Sequence, residues 1–186
     1  MRILVTAFGP FAGRPENASS LALRGLKEIF PQLLTRILPV DSVIAPARMK
    51  QALKQLRPDA LIMLGEAEGS QKIRLETTAW NELNFGVPDN AGRLRTSRPF
   101  ISNAPASLAS TLPLETIHQR LIDSGQEACF SNDAGRYLCN QLFFVARHFI
   151  ESRNIACPAG FIHLPLAHDY STDRAIAALA EVIGAL

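Results

Sequence analysis

The chain has 186 residues, 47% hydrophobic and 19% charged, with a formal net charge of +2, which fits one domain whose core is covered on both faces. Its basic residues are scattered without a stripe, which removes the electrostatic case for nucleic acid, and no window reaches the roughly 18–20 apolar residues of a membrane-spanning helix. The short apolar start before Gly9 and Pro10 lacks the longer apolar region and cleavage site of a signal peptide, so a cytoplasmic protein is expected.

Short β-branched runs alternate with helix-period segments along the chain. That pattern predicts a single α/β domain over residues 1–186, an open, twisted, mostly parallel sheet flanked by helices on both faces. Ile3–Thr6 reads as a buried strand, followed by the Gly- and Pro-rich loop Phe8–Asn17. A helix starts near Ser19, with Ser19 or Ser20 as its cap and Leu21, Leu23, Leu26 and Ile29 as its apolar face. Leu33–Leu38 is a second strand and Ala45–Leu56 a basic amphipathic helix with a solvated face. Ala60–Leu64 is a central strand stopping at Gly65, and Ile73–Trp80 a strand near a sheet edge. Residues 84–113, with four prolines and two glycines, read as an ordered loop, and such long loops are usually functional or interfacial. Helices are predicted over Leu114–Asp123, Gly135–Glu151 and Asp173–Leu186, and strands over Ala128–Ser131 and Gly160–Leu164.

Three features carry chemistry. In Ser131-Asn-Asp-Ala-Gly-Arg-Tyr-Leu-Cys139-Asn, a strand passes through Ala134-Gly135 into a long helix. A cysteine in a first helical turn meets unpaired N–H groups and the positive end of the helix dipole. Both favour thiolate, and the same N–H groups suit an oxyanion. In Gly160-Phe-Ile-His163-Leu-Pro, the histidine ends an apolar strand, where catalytic side chains gather in α/β sheets. It could take a proton from a thiol and return it to a leaving amine. Glu76 lies in Ile73-Arg-Leu-Glu-Thr-Thr-Ala-Trp-Asn81, and a carboxylate buried there would need a partner such as an imidazole. Each has a plainer reading: a core cysteine, a structural histidine, a surface glutamate beside Arg74. Cys129, Cys139 and Cys157 are an odd set without CxxC spacing, which argues against disulfides and structural zinc. No metal or cofactor is expected.

Taken together and in order, these motifs resemble the pyrrolidone-carboxylate peptidases, the pyroglutamyl peptidase I family of cysteine peptidases. The resemblance runs over nearly the whole chain, from Leu4-Val-Thr-Ala-Phe8-Gly-Pro-Phe11-Ala-Gly13 and Asn17 through Pro88-Asp-Asn-Ala-Gly92 and Ser110-Thr-Leu-Pro113. Glu76, Cys139 and His163 fall on the family's catalytic positions. The resemblance implies removal of an N-terminal pyroglutamyl residue from peptides, without a metal, by a protein that often assembles as a dimer or tetramer. Phe8 and Phe11 match its ring-contacting aromatics. Val87, Tyr137 and Leu138 match pocket-lining positions, and Asn17 could hydrogen-bond the lactam. Gly86 stands where the family commonly has arginine, Thr77 where a basic residue follows the glutamate, and Glu66 and Glu68 add charge to a generally neutral stretch. Two other readings stand beside this one: a related cysteine amidase for another small cyclic or N-terminal amide, and a binding protein on the same fold.

Overall fold

A computed structural model describes residues 1–186. The apolar runs Ile3–Phe8 (β1), Leu34–Leu38 (β2), Ala60–Glu66 (β3), Ile73–Glu76 (β4), Ala128–Ser131 (β9) and Ala159–Leu164 (β10) form a six-stranded sheet in the order β2-β1-β3-β10-β4-β9. The four strands from β2 to β10 run parallel; β4 pairs antiparallel with β10 and parallel with β9. β1, β3 and β10 are buried almost throughout, as expected for strands covered on both faces.

Helices Ala18–Ile29 (α1), Leu114–Asp123 (α3) and Thr172–Gly184 (α5) cover one face. Ile44–Leu56 (α2) and Leu138–Glu151 (α4) cover the other. The second face is the more aromatic, with Phe143, Phe144 and Phe161 fully buried.

Several boundaries differ from the sequence expectation, each for a local reason. Asn17 caps α1 in place of Ser19 or Ser20: its Oδ1 accepts from Ser19 N at 3.0 Å and from Ser19 Oγ at 2.6 Å. Helix α4 starts at Leu138, three residues later than expected. Gly135 adopts φ +79°, with its N–H donating to Asp133 Oδ1, and Tyr137 is extended, so the chain turns before it coils. The run Ile73–Trp80 is split. After β4 the chain leaves the sheet, and Thr78–Trp80 (β5) pairs with Ser107–Ala109 (β8) in a separate ribbon. The stretch 84–113 is largely irregular but carries that strand and a second small ribbon, Leu83–Asn84 (β6) with Thr96–Ser97 (β7).

That stretch is tied down by Asp89, only 4% exposed. Its carboxylate accepts from the backbone N–H groups of Ser42, Ala91 and Arg93 at 2.8–3.0 Å. Burial alone would push the Asp89 carboxyl up, but the N–H groups of Ser42, Arg93 and Ala91 pull it down to about 2. The folded value lies below the roughly 3.9 of an unfolded aspartate, so this contribution is complete above that pH and is lost as pH falls toward 2. Asp89→Ala, which strands three donors, is expected to cost about 2–4 kcal/mol. Urea titrations at pH 7 and pH 3 should show the difference between wild type and variant shrinking with acid.

Candidate active site

The carboxyl end of β10 brings His163 over the sheet, where it is 5% exposed. The register His163↔Arg74 and Phe161↔Glu76 puts the side chains of Arg74, Glu76 and His163 on one face of the sheet. Nδ1 of His163 lies 2.8 Å from Oε1 of Glu76, which is 0% exposed. With the carboxylate as acceptor, the proton sits on Nδ1 and the Nε2 lone pair is free. Glu76 is therefore no surface residue. Arg74, the neighbour that suggested one, reaches Oε1 itself, with its Nε at 3.3 Å.

Cys139 is the second residue of α4. Asn140, fully buried, pins that turn to β5: it accepts from Trp80 N–H at 2.8 Å and donates to the carbonyls of Trp80 and Glu82. The thiol rests on Gly65, where an added Cβ would lie 2.9 Å from Sγ and 2.9 Å from the Phe161 ring. Gly65 is the parallel partner of His163. Sγ thus sits over the strand that pairs with the one carrying the histidine. No side chain larger than hydrogen fits beneath it.

The helix N-terminus was expected to favour the thiolate, and the structure reverses the balance. Burial comes first, then the charges of Glu76 and Glu66; together they push the Cys139 thiol up to about 12, against a smaller pull from its own backbone N–H. Burial and the two carboxylates thus favour the protonated thiol at rest.

Beside it opens a cleft of about 180 Å³ lined by Phe8, Phe11, Asn17, Tyr137, Leu138 and Cys139. Phe11 and Phe85 both pack on the Tyr137 ring, with centroids 5.3 and 4.5 Å away. Five of the six expected pocket residues meet here. Val87 does not: it is 51% exposed and outside the lining, in the bend Gly86–Val87 before Pro88, whose carbonyl accepts from Tyr137 Oη. Arg14 also lines the cleft, with Glu66 2.7 Å from its Nη2. Sequence reading missed Arg14; its one signal is a single basic residue in a Gly- and Pro-rich loop. No group of three His, Cys, Asp or Glu residues is placed to hold a metal ion.

The family model of the pyroglutamyl peptidases matches residues 1–179. The chain belongs to the pyroglutamyl peptidase family. The pyrrolidone-carboxylate peptidase of Thermococcus kodakarensis is 35% identical over 94% of this chain and 85% of that protein. Its counterpart from Pyrococcus furiosus is 33% identical over the same shares. Among solved structures, a mutant pyrrolidone carboxyl peptidase from Pyrococcus furiosus superposes with a TM-score of 0.93 at 29% identity, covering 100% of this chain and 97% of that one. The pyroglutamyl peptidase I of Bacillus amyloliquefaciens gives 0.93 at 27% identity, over 99% and 93%. The mostly parallel α/β sheet is thus the fold of this family of hydrolases. No helix is long and apolar enough to cross a membrane.

Proposed function

We propose that this pyroglutamyl peptidase-family chain removes an N-terminal pyroglutamyl residue from peptides, with Cys139 as nucleophile, His163 as proton carrier and Glu76 orienting the imidazole. The observation that carries this reading is the buried Glu76–His163 hydrogen bond of 2.8 Å set beside a cysteine that opens a small aromatic cleft. A neutral five-membered lactam suits such a cleft, which is mostly apolar with a few polar groups. Asn17 has Oδ1 committed to Ser19, so its amide Nδ2 is the atom left to meet a lactam carbonyl.

Because the resting thiol is neutral, its proton must leave as the bond forms. Nε2 of His163 takes it while Sγ attacks the pyroglutamyl carbonyl. Glu76 stabilises the imidazolium that results. Unpaired N–H groups in the first turn of α4, that of Cys139 included, face the developing oxyanion. Collapse breaks the C–N bond, and His163 returns the proton to the departing amine. Water, deprotonated by the same imidazole, then cleaves the thioester and frees the thiol.

The test is hydrolysis of a chromogenic pyroglutamyl anilide, before and after thiol alkylation. Release of the anilide that stops on alkylation supports the reading; no release overturns it. A second reading, a cysteine amidase for another small amide, is favoured by the Arg14–Glu66 ion pair in the cleft wall. Turnover of other N-terminal amide anilides ahead of the pyroglutamyl one would select it.

Gly86 bears on rate. No atom lies within 4 Å of a Cβ built there, and its φ is outside the left-handed region, so a side chain fits without strain. Gly86→Arg is expected to raise kcat about 10-fold, equivalent to about 1.4 kcal/mol of barrier, at unchanged KM and melting temperature. A folded variant with no gain would show that the arginine has no role in this chain.

A further inference from the structure

Glu76 is a carboxylate with no exposed surface and two cationic-capable donors on a single oxygen. Nδ1 of His163 lies 2.8 Å from Oε1 and Nε of Arg74 3.3 Å from the same atom, while Oε2 has no partner. The guanidinium is braced from the far side: its Nη2 donates to Ser131 Oγ at 2.7 Å and to the Asp133 carbonyl at 2.7 Å. Strand register builds this arrangement, since Arg74 is the cross-strand partner of both His163 and Cys129, and Glu76 that of Phe161 and Ser131. Arg74 is thus held between the edge strand and the carboxylate that faces the histidine.

We propose that Arg74 is a positioning residue for the reaction: clamped to β9, it fixes Oε1 of Glu76 for His163 and sets the pH at which the site takes up a proton. This rests on the reading of Glu76 and His163 as members of the catalytic group. The carboxylate cannot turn its oxygens without losing the guanidinium, so the imidazole receives its hydrogen bond in one orientation. The fixed positive charge also opposes a second one on the imidazole. Without it, every proton-binding group nearby holds a proton to a higher pH.

The other charged or titratable groups facing this assembly are few. Cys139 approaches from α4, and Glu66, paired with Arg14, stands behind it on β3. On the far side are Cys129 of β9 and Asp133, which pairs with Arg136. Arg136 is held in turn by Glu82. Arg74 therefore supplies the one guanidinium in contact with Glu76. Its side chain is 32% exposed, beside an open cleft formed with Thr77, Phe130 and Asn132, so solvent screens part of its field.

The experiment is the pH dependence of kcat/KM on a pyroglutamyl anilide for wild type, Arg74→Gln, Arg74→Lys and Ser131→Ala. Alongside it, the His163 imidazole is titrated by NMR, a readout that needs no turnover. Arg74→Gln is expected to move the acid limb and the imidazole titration upward by up to about one pH unit, lowering kcat with little change in KM. Arg74→Lys should return the limb most of the way, and Ser131→Ala, which cuts only one brace, should move it less in the same direction. A uniform fall in activity across pH, with limb and titration in place, would make Arg74 merely structural and overturn the proposal. If Arg74→Gln does not fold, unmoved titrations in Arg74→Lys and Ser131→Ala overturn it equally. Failure of the parent reading looks different: Cys139→Ser would then still turn over, whatever happens at Arg74.

Discussion

Cys139→Ala and Cys139→Ser are expected to abolish hydrolysis of a pyroglutamyl anilide, a loss on the order of 10⁴-fold or more, with the fold intact. In the proposed mechanism sulfur forms the bond to carbon, and neither replacement supplies a nucleophile of comparable strength at neutral pH. The fold should survive because the first turn of α4 is fixed by Asn140 and not by the thiol. Serine is also slightly smaller, so it fits over Gly65 where the thiol does. Circular dichroism and thermal melts should overlay those of the wild type. Cys129→Ser and Cys157→Ser serve as controls: one lies on the edge strand, and the other is buried beside Pro158. Both should keep most activity. Wild-type turnover in Cys139→Ser would remove the proposed mechanism entirely.

Glu76→Gln is expected to lower kcat by about 10²–10⁴, by analogy with loss of the orienting carboxylate in serine proteases, while KM changes little. The amide keeps an acceptor but has no charge to offset the imidazolium, and its NH₂ cannot face both His163 and Arg74, which also donate there. Stability should hardly fall, since Oε2 has no hydrogen bond to lose. The split between kcat and stability is the measurement that matters. Near-normal kcat in a folded Glu76→Gln protein would reduce this glutamate to a buried structural group.

The sequence showed the sheet where chemistry is monotonous. The runs of β1, β3 and β10 are buried at nearly every position and so are apolar at nearly every position. Leu114–Asp123 and Ala128–Ser131 came out with their observed bounds, being set by plain turn residues on either side. What stayed hidden depends on partners far away in the chain. Glu76 looks exposed beside Arg74 until β10 and β9 are laid against it, because burial of a charge is settled by register and not by its neighbours in sequence. Asn17 outcompetes two serines as cap because its longer side chain reaches both Ser19 N and Ser19 Oγ. The thiol shows the same limit. The helix start that favours the thiolate is local and legible, whereas the two carboxylates that oppose it come from β3 and β4. Val87 sits next to the right residues in sequence, yet the bend at Gly86 and Val87 leaves it in solvent.

The neutral Cys139 thiol also bears on how long the protein lasts between turnovers. Peroxides and disulfides react with thiolate, so a cysteine whose thiol is pushed up to about 12 offers them very little of the reactive form at neutral pH. In the proposed mechanism the sulfur is activated only when His163 accepts its proton during attack, and Gly65 and the Phe161 ring lie beneath it. The burial that disfavours the thiolate, with the carboxylates of Glu76 and Glu66 behind it, would thereby also slow its oxidation.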